Sequence, residues 1–94
     1  MKGNSLNQFI DDLYSTGGPE KEFLYKGNRY FLESANIDDR TIEMAIFQCF
    51  GKGEYIFRCK GKNFAECAKQ FENAKIFDGK TIYEVENEIE VLFG

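Results

Sequence analysis

The sequence has no histidine and no tryptophan, a single proline, and three cysteines among 94 residues. Without histidine there is no imidazole for general base work near neutral pH and none to complete a zinc site. Cys49, Cys59 and Cys67 are odd in number and lack the short spacing of a metal-binding pair, so they read as reduced, mostly packed thiols. A nucleophilic cysteine would lack the histidine that usually activates it. Neither G-x-S-x-G nor the phosphate-cradling G-x-x-x-x-G-K-[ST] occurs. No run of about 18 apolar residues and no basic-then-apolar leader is present, so neither a membrane span nor a secretory signal is read. These absences lead to the expectation of a cytoplasmic protein that is not an enzyme and uses no metal and no cofactor.

What is present is apolar and aromatic. Hydrophobic residues make up 43% and aromatics 16% of the chain, with ten phenylalanines and five tyrosines, which argues against disorder. A chain of this size buries roughly 60–70% of its unfolded surface and has material for one core, so residues 1–94 are read as a single domain. The net charge of −4 repels phosphates and anionic membranes on average, although a local basic patch can override the average.

Leu6, Phe9, Ile10, Leu13 and Tyr14 recur at helical spacing, with Ser5 placed to cap the start and Gly17 the end, and Pro19 forbids continuation. From Lys21 to Lys60 the pattern changes to short aromatic and β-branched runs broken by Gly, Asn and Asp, the signature of successive antiparallel strands. Four strands are expected, at about residues 22–25, 30–34, 41–50 and 55–60. Gly27 and Asn28 are placed to take positive φ in the first hairpin. Asn36 to Arg40 reads as the second turn, and Gly51-Lys52-Gly53-Glu54 as the third.

If Phe50 faces Tyr55 across the last turn, one sheet face carries Ile42, Met44, Ile46, Phe50, Tyr55, Phe57 and Cys59 and is apolar enough to be the core. The opposite face then carries Glu43, Ala45, Phe47, Cys49, Ile56, Arg58 and Lys60. That mixed set does not look simply solvated.

Asn63 and Glu66 form a capping-box-like start, after which Phe64, Cys67, Ala68 and Phe71 share a helical stripe to about Ala74. Thr81 to Phe93 fits two templates. As a helix it has Thr81 and Glu84 as a capping box and Ile82, Val85, Ile89 and Leu92 on one stripe; as a strand it alternates Tyr83, Val85, Ile89, Val91 and Phe93 with glutamates. The specific cap, and the unusual length of a twelve-residue strand, favour the helix. The expected fold is α+β, ordered α-β-β-β-β-α-α, a four-stranded antiparallel meander with helices packed on one face.

Charge is divided between two parts of the chain. Lys52, Arg58, Lys60 and Lys62 make the last hairpin and its exit basic, whereas Glu84, Glu86, Glu88 and Glu90 make the tail acidic. Solvated faces that attract each other within the monomer account for most such runs; a basic patch for an anionic partner is the functional alternative. Asp11-Asp12 and Asp38-Asp39 lack calcium-loop spacing and read as capping and turn residues. A helix, a β-meander and a helix opened by Lys60, Lys62 and Lys69 are together similar to the double-stranded RNA-binding domain, which implies phosphate contacts from those lysines. The stretch Ala74 to Glu86, AKIFDGKTIYEVE, resembles small uncharacterised bacterial proteins, which implies an accessory protein and supplies no functional residue.

The expected function is a small non-catalytic protein-interaction or regulatory domain that uses Phe47, Ile56 and Arg58 on the second sheet face, in a homodimer or with another protein. The alternative is nucleic-acid binding through Lys52, Arg58, Lys60 and Lys62. No membrane partner is expected.

Overall fold

A computed structural model describes residues 1–15, 20–49 and 53–94. The helix stop expected at Gly17 and Pro19, the core place of Phe50 and the basic contribution of Lys52 lie outside the described residues. The elements run α1 (Leu6–Tyr14), β1 (Lys21–Tyr25), β2 (Asn28–Asp38), β3 (Thr41–Gln48), β4 (Tyr55–Gly61), α2 (Phe64–Asn73) and β5 (Ile89–Phe93), with a short 3-10 turn at Glu86–Glu88. The fold is α+β, and the five strands form one antiparallel sheet in the order β4-β3-β2-β1-β5.

Local chemistry accounts for the element ends. The Ser5 side chain accepts the Gln8 N–H at 3.1 Å and opens α1. In the β1–β2 hairpin the positive-φ pair is Lys26 (φ 49) and Gly27 (φ 79), one residue earlier than the sequence suggests, and this closes the register with Tyr25 opposite Asn28. Asp38 accepts the Arg40 N–H at 2.8 Å in the next turn. At α2, Asn63 accepts the Glu66 N–H at 2.9 Å while Glu66 reaches back to the Lys62 N–H at 3.1 Å, so the predicted cap forms.

Two expectations are corrected. The sheet has five strands, not four, and the last segment is not a helix. Thr81 and Glu84 do make their cap contact, with the Thr81 N–H donating to Glu84 Oε1 at 3.1 Å, but it closes a turn, and Ile82 and Val85 pack into the core from that turn. Ile89–Phe93 instead pairs antiparallel with β1, whose backbone edge would otherwise lack partners on that side. The other edge of β5 is met by Lys2, which donates to the Ile89 carbonyl at 3.0 Å and accepts from the Val91 N–H at 2.7 Å.

The core lies on one side of the sheet. Phe23, Tyr25, Tyr30, Leu32, Met44, Ile46, Ile89 and Val91 face α1, α2 and the buried side chains Phe77, Ile82 and Val85 of the connecting segment. Phe71 is the hub: its ring meets Phe9, Phe57 and Phe77 with centroids 6.4, 5.9 and 6.4 Å away. Both helices thus bank on the same face. Neither helix covers the other face, on which Phe31 and Phe47 are half-buried.

Candidate interaction surface

The uncovered face is built by register. Opposite one another across the strands stand Tyr55 on β4, Phe47 on β3, Phe31 on β2, Glu22 on β1 and Phe93 on β5. The Phe31 and Phe47 rings lie 5.7 Å apart between centroids, and so do Phe47 and Tyr55. The three rings form a continuous aromatic row over three strands. Tyr55 is 54% exposed and Phe93 63%. The next level holds Arg58, Ala45 and Glu33, and the one beyond it Lys60, Glu43 and Ala35.

A β-bulge sets this pattern. Phe47 pairs with Tyr55 but its neighbour Ile46 pairs with Phe57, which leaves Ile56 as the extra residue of β4. Ile56 is partly buried and packs against the core cluster. The expected partner-binding set Phe47, Ile56 and Arg58 is therefore corrected at its middle member: Tyr55, assigned to the core from the sequence, stands beside Phe47, and Ile56 turns towards the core. A period-two reading cannot see this, because one inserted residue exchanges the faces of everything on one side of it. Phe31 was missed as well, since the sequence pattern pairs β3 with β4 alone and sets no register between β2 and β3.

Arg58 is tied into the surface. Its guanidinium lies 4.6 Å from the Tyr55 ring centroid and donates through Nη2 to the Glu43 oxygens at 3.2 and 3.3 Å. Of the other expected basic residues, Lys60 is exposed on the same face and Lys62 is exposed beyond the strand end, before the α2 cap. The described residues thus bring Arg58 and Lys60 together and set Lys62 apart. Glu22, Glu33, Glu43 and Glu90 share the face with them, so it carries both signs of charge.

The remaining chemistry-bearing groups lie elsewhere. Burial pushes all three thiols up, and Cys59, which also feels Cys67, reaches about 12. The Cys67 thiol donates to the Ile42 carbonyl at 3.6 Å. Their surroundings disfavour a thiolate at neutral pH. A groove of about 580 Å³ between β4 and α2 is lined by Phe57, Cys59, Lys69, Gln70 and Asn73, and the Gln70 amide crosses to the Lys60 carbonyl at 2.9 Å. No group of acidic or cysteine side chains among the described residues could hold a metal ion. No described helix is long and apolar enough to cross a membrane.

No family model, no curated protein and no solved structure matches the chain.

Proposed function

We infer that this domain is a non-catalytic protein-interaction module that docks through the open face of its sheet, with Phe47, Tyr55 and Arg58 at the contact. The observation that carries this reading is the row Phe31, Phe47 and Tyr55, three touching rings on a face that no described helix covers. Apolar rings left in water mark contact sites because covering them gains roughly 25 cal/mol per Å². The ion pair of Arg58 with Glu43 sits beside the rings, giving an apolar centre with a polar border.

A second reading has one observation in its favour. An arginine over a tyrosine ring, next to further aromatics, is also the makeup of a platform for single-stranded nucleic acid. Four glutamates on the same face and the net charge of −4 oppose a phosphate backbone, and Arg58 is already engaged by one of them. A labelled oligonucleotide titrated at low salt decides it: salt-sensitive binding lost on replacing Arg58 and Lys60 would favour this reading over docking to a protein.

The docking reading is tested on the dilute monomer with Tyr55→Ser. A contact residue contributes little to the fold, so the expected loss in urea-unfolding free energy is under about 0.5 kcal/mol. A loss of about 2 kcal/mol or more would make the ring row structural, and the docking surface would be withdrawn.

A further inference from the structure

The open face is not only uncovered; its charges are arranged with a direction. The basic side chains Arg58 and Lys60 stand on β4 and the acidic Glu33 two strands away on β2, while Glu22 on β1 is held by Arg29 of β2 at 3.5 Å. Between Arg58 and Glu33 lies Ala45, a short side chain only 7% exposed, so the middle of this level is low. Glu33 is exposed and makes no ion pair among the described residues.

Two sheets that pack face to face align their strands to within about 30° and stand about 10 Å apart. A two-fold axis for such a pair has two simple placements. With the axis across the strands at the level of Arg58, β4 would lie on β4 and set both Arg58 and Glu33 against their own images. With the axis along β3, β4 lies on β2: Tyr55 meets Phe31, Arg58 meets Glu33, and Phe47 and Ala45 meet themselves. Like charges repel in the first arrangement and opposite charges pair in the second. Glu43 meets its own image in the second, but it enters with Arg58 already bonded to it.

We propose that the occupant of the open face is a second copy of this chain, packed sheet on sheet about a two-fold axis along β3, with Arg58 of each copy reaching Glu33 of the other. This rests on the docking reading and names its partner. The interface is isologous, so it closes at two chains and does not polymerise.

The test is a charge exchange read by sedimentation equilibrium, from about 1 μM to about 1 mM, a range that spans weak to moderate association. The wild-type mass is expected to rise from 10.9 kDa towards twice that value. Glu33→Arg sets arginine against Arg58 and Arg58→Glu sets glutamate against Glu33, so each variant alone should dimerise roughly tenfold or more weakly. An equimolar mixture of the two variants should recover association, because both contacts between unlike chains then pair opposite charges. Damage to the fold is not repaired by mixing, and Glu33, exposed and unbonded, can be exchanged without loss of a native contact. A wild type that stays at 10.9 kDa throughout, or a mixture that associates no better than its components, overturns the proposal. If the wild type stays monomeric while Tyr55→Ser leaves stability unchanged, the face docks a different protein, and only the second-copy inference fails.

Discussion

Lys21 donates to Asp12 from a position with no solvent exposure, its Nζ 2.9 Å from Asp12 Oδ2. It stands opposite Leu32 on the core face of the sheet, donates also to the Gly94 carbonyl oxygen at 3.0 Å, and lies 4.8 Å from the Phe9 ring centroid. A buried ammonium is tolerated when it is paired and hydrogen-bonded, and here the pair also ties α1 to β1. The two partners should respond unequally to substitution. Asp12→Ala strands the charge in the core and is expected to cost about 2–4 kcal/mol in urea unfolding. Lys21→Met keeps the volume, removes the charge and leaves a carboxylate that water can reach, so it should cost under about 1.5 kcal/mol. Equal losses would show that the ammonium does not depend on Asp12.

The same carboxylate gives the fold a pH dependence. The hydrogen bond from Lys21, and then that from Gln8, hold the Asp12 carboxyl below its ordinary value; Lys26 and Tyr25 do the same for Asp78, and the Arg40 amide for Asp38. A carboxyl with a depressed folded pKa contributes stability above its unfolded value, about 3.9, and loses it as pH falls through the folded value. Thermal midpoints should therefore be level near neutrality and decline below about pH 4. In Lys21→Met the larger part of the Asp12 contribution is lost while the Gln8 bond remains, and the acid decline should be shallower than in wild type. An identical decline would place the acid sensitivity elsewhere.

One carboxylate and two phenols contribute to the alkaline behaviour. The Tyr14 and Tyr83 hydroxyls both donate to Glu72, joining α1, α2 and the segment before β5. That hydrogen bond first, and then burial, push both phenols up to about 12. A raised folded pKa contributes stability that is fully present below the unfolded value of about 10 and lost as pH rises through the folded one. Glu72→Gln keeps an acceptor but removes the negative charge. Tyrosinate absorbance in that variant should begin to rise at lower pH than in wild type, and unchanged titration curves would refute the clasp.

How much of this was legible in the sequence depends on whether the controlling physics is local. Ser5 and Asn63 cap the helices as their sequence context predicts, because a cap is a contact over three residues. The fate of Ile89–Phe93 was not legible. Thr81 and Glu84 satisfied the local signal, but the unfilled edge of β1, more than sixty residues away in the chain, decided for a strand. Ile56 escaped for a related reason: a bulge is chosen by the fit of two strands, and period-two counting assumes there is none. Lys21 went unnoticed because an isolated lysine beside a strand carries no mark of burial until α1 brings Asp12 over it. For the surface, Phe47 and Arg58 could be placed on the second face, whereas Phe31 and Tyr55 needed the register.

The thiols allow a simple chemical check. Cys59 is partly buried, with its thiol pushed up to about 12 by burial and then by Cys67; Cys67 and Cys49 are buried. Only the thiolate reacts with an alkylating agent at an appreciable rate. Native protein near pH 8 should react with iodoacetamide far more slowly than the urea-unfolded chain, by roughly tenfold or more at each site. One cysteine that labels as fast as in the unfolded chain would reveal an accessible low-pKa thiol and reopen a catalytic role.

The bulge in β4 makes the sharpest division of roles, between neighbours in the chain. Ile56 packs against the core cluster, and Phe57 meets Phe71 edge-on at 5.9 Å, while Tyr55 points to the open face. Ile56→Ser should therefore cost about 1–3 kcal/mol of stability, and Phe57→Ala about 2–4, the lower part of the usual range because the ring is only partly buried. The dimer constant, measured where each variant is still folded, should be unchanged by Ile56→Ser and weakened by Tyr55→Ser. Were the faces assigned as a regular ribbon would have them, the outcomes would exchange: Tyr55 would set stability and Ile56 association. Measuring both quantities for both variants tests the bulge, and with it the face on which the aromatic row is displayed.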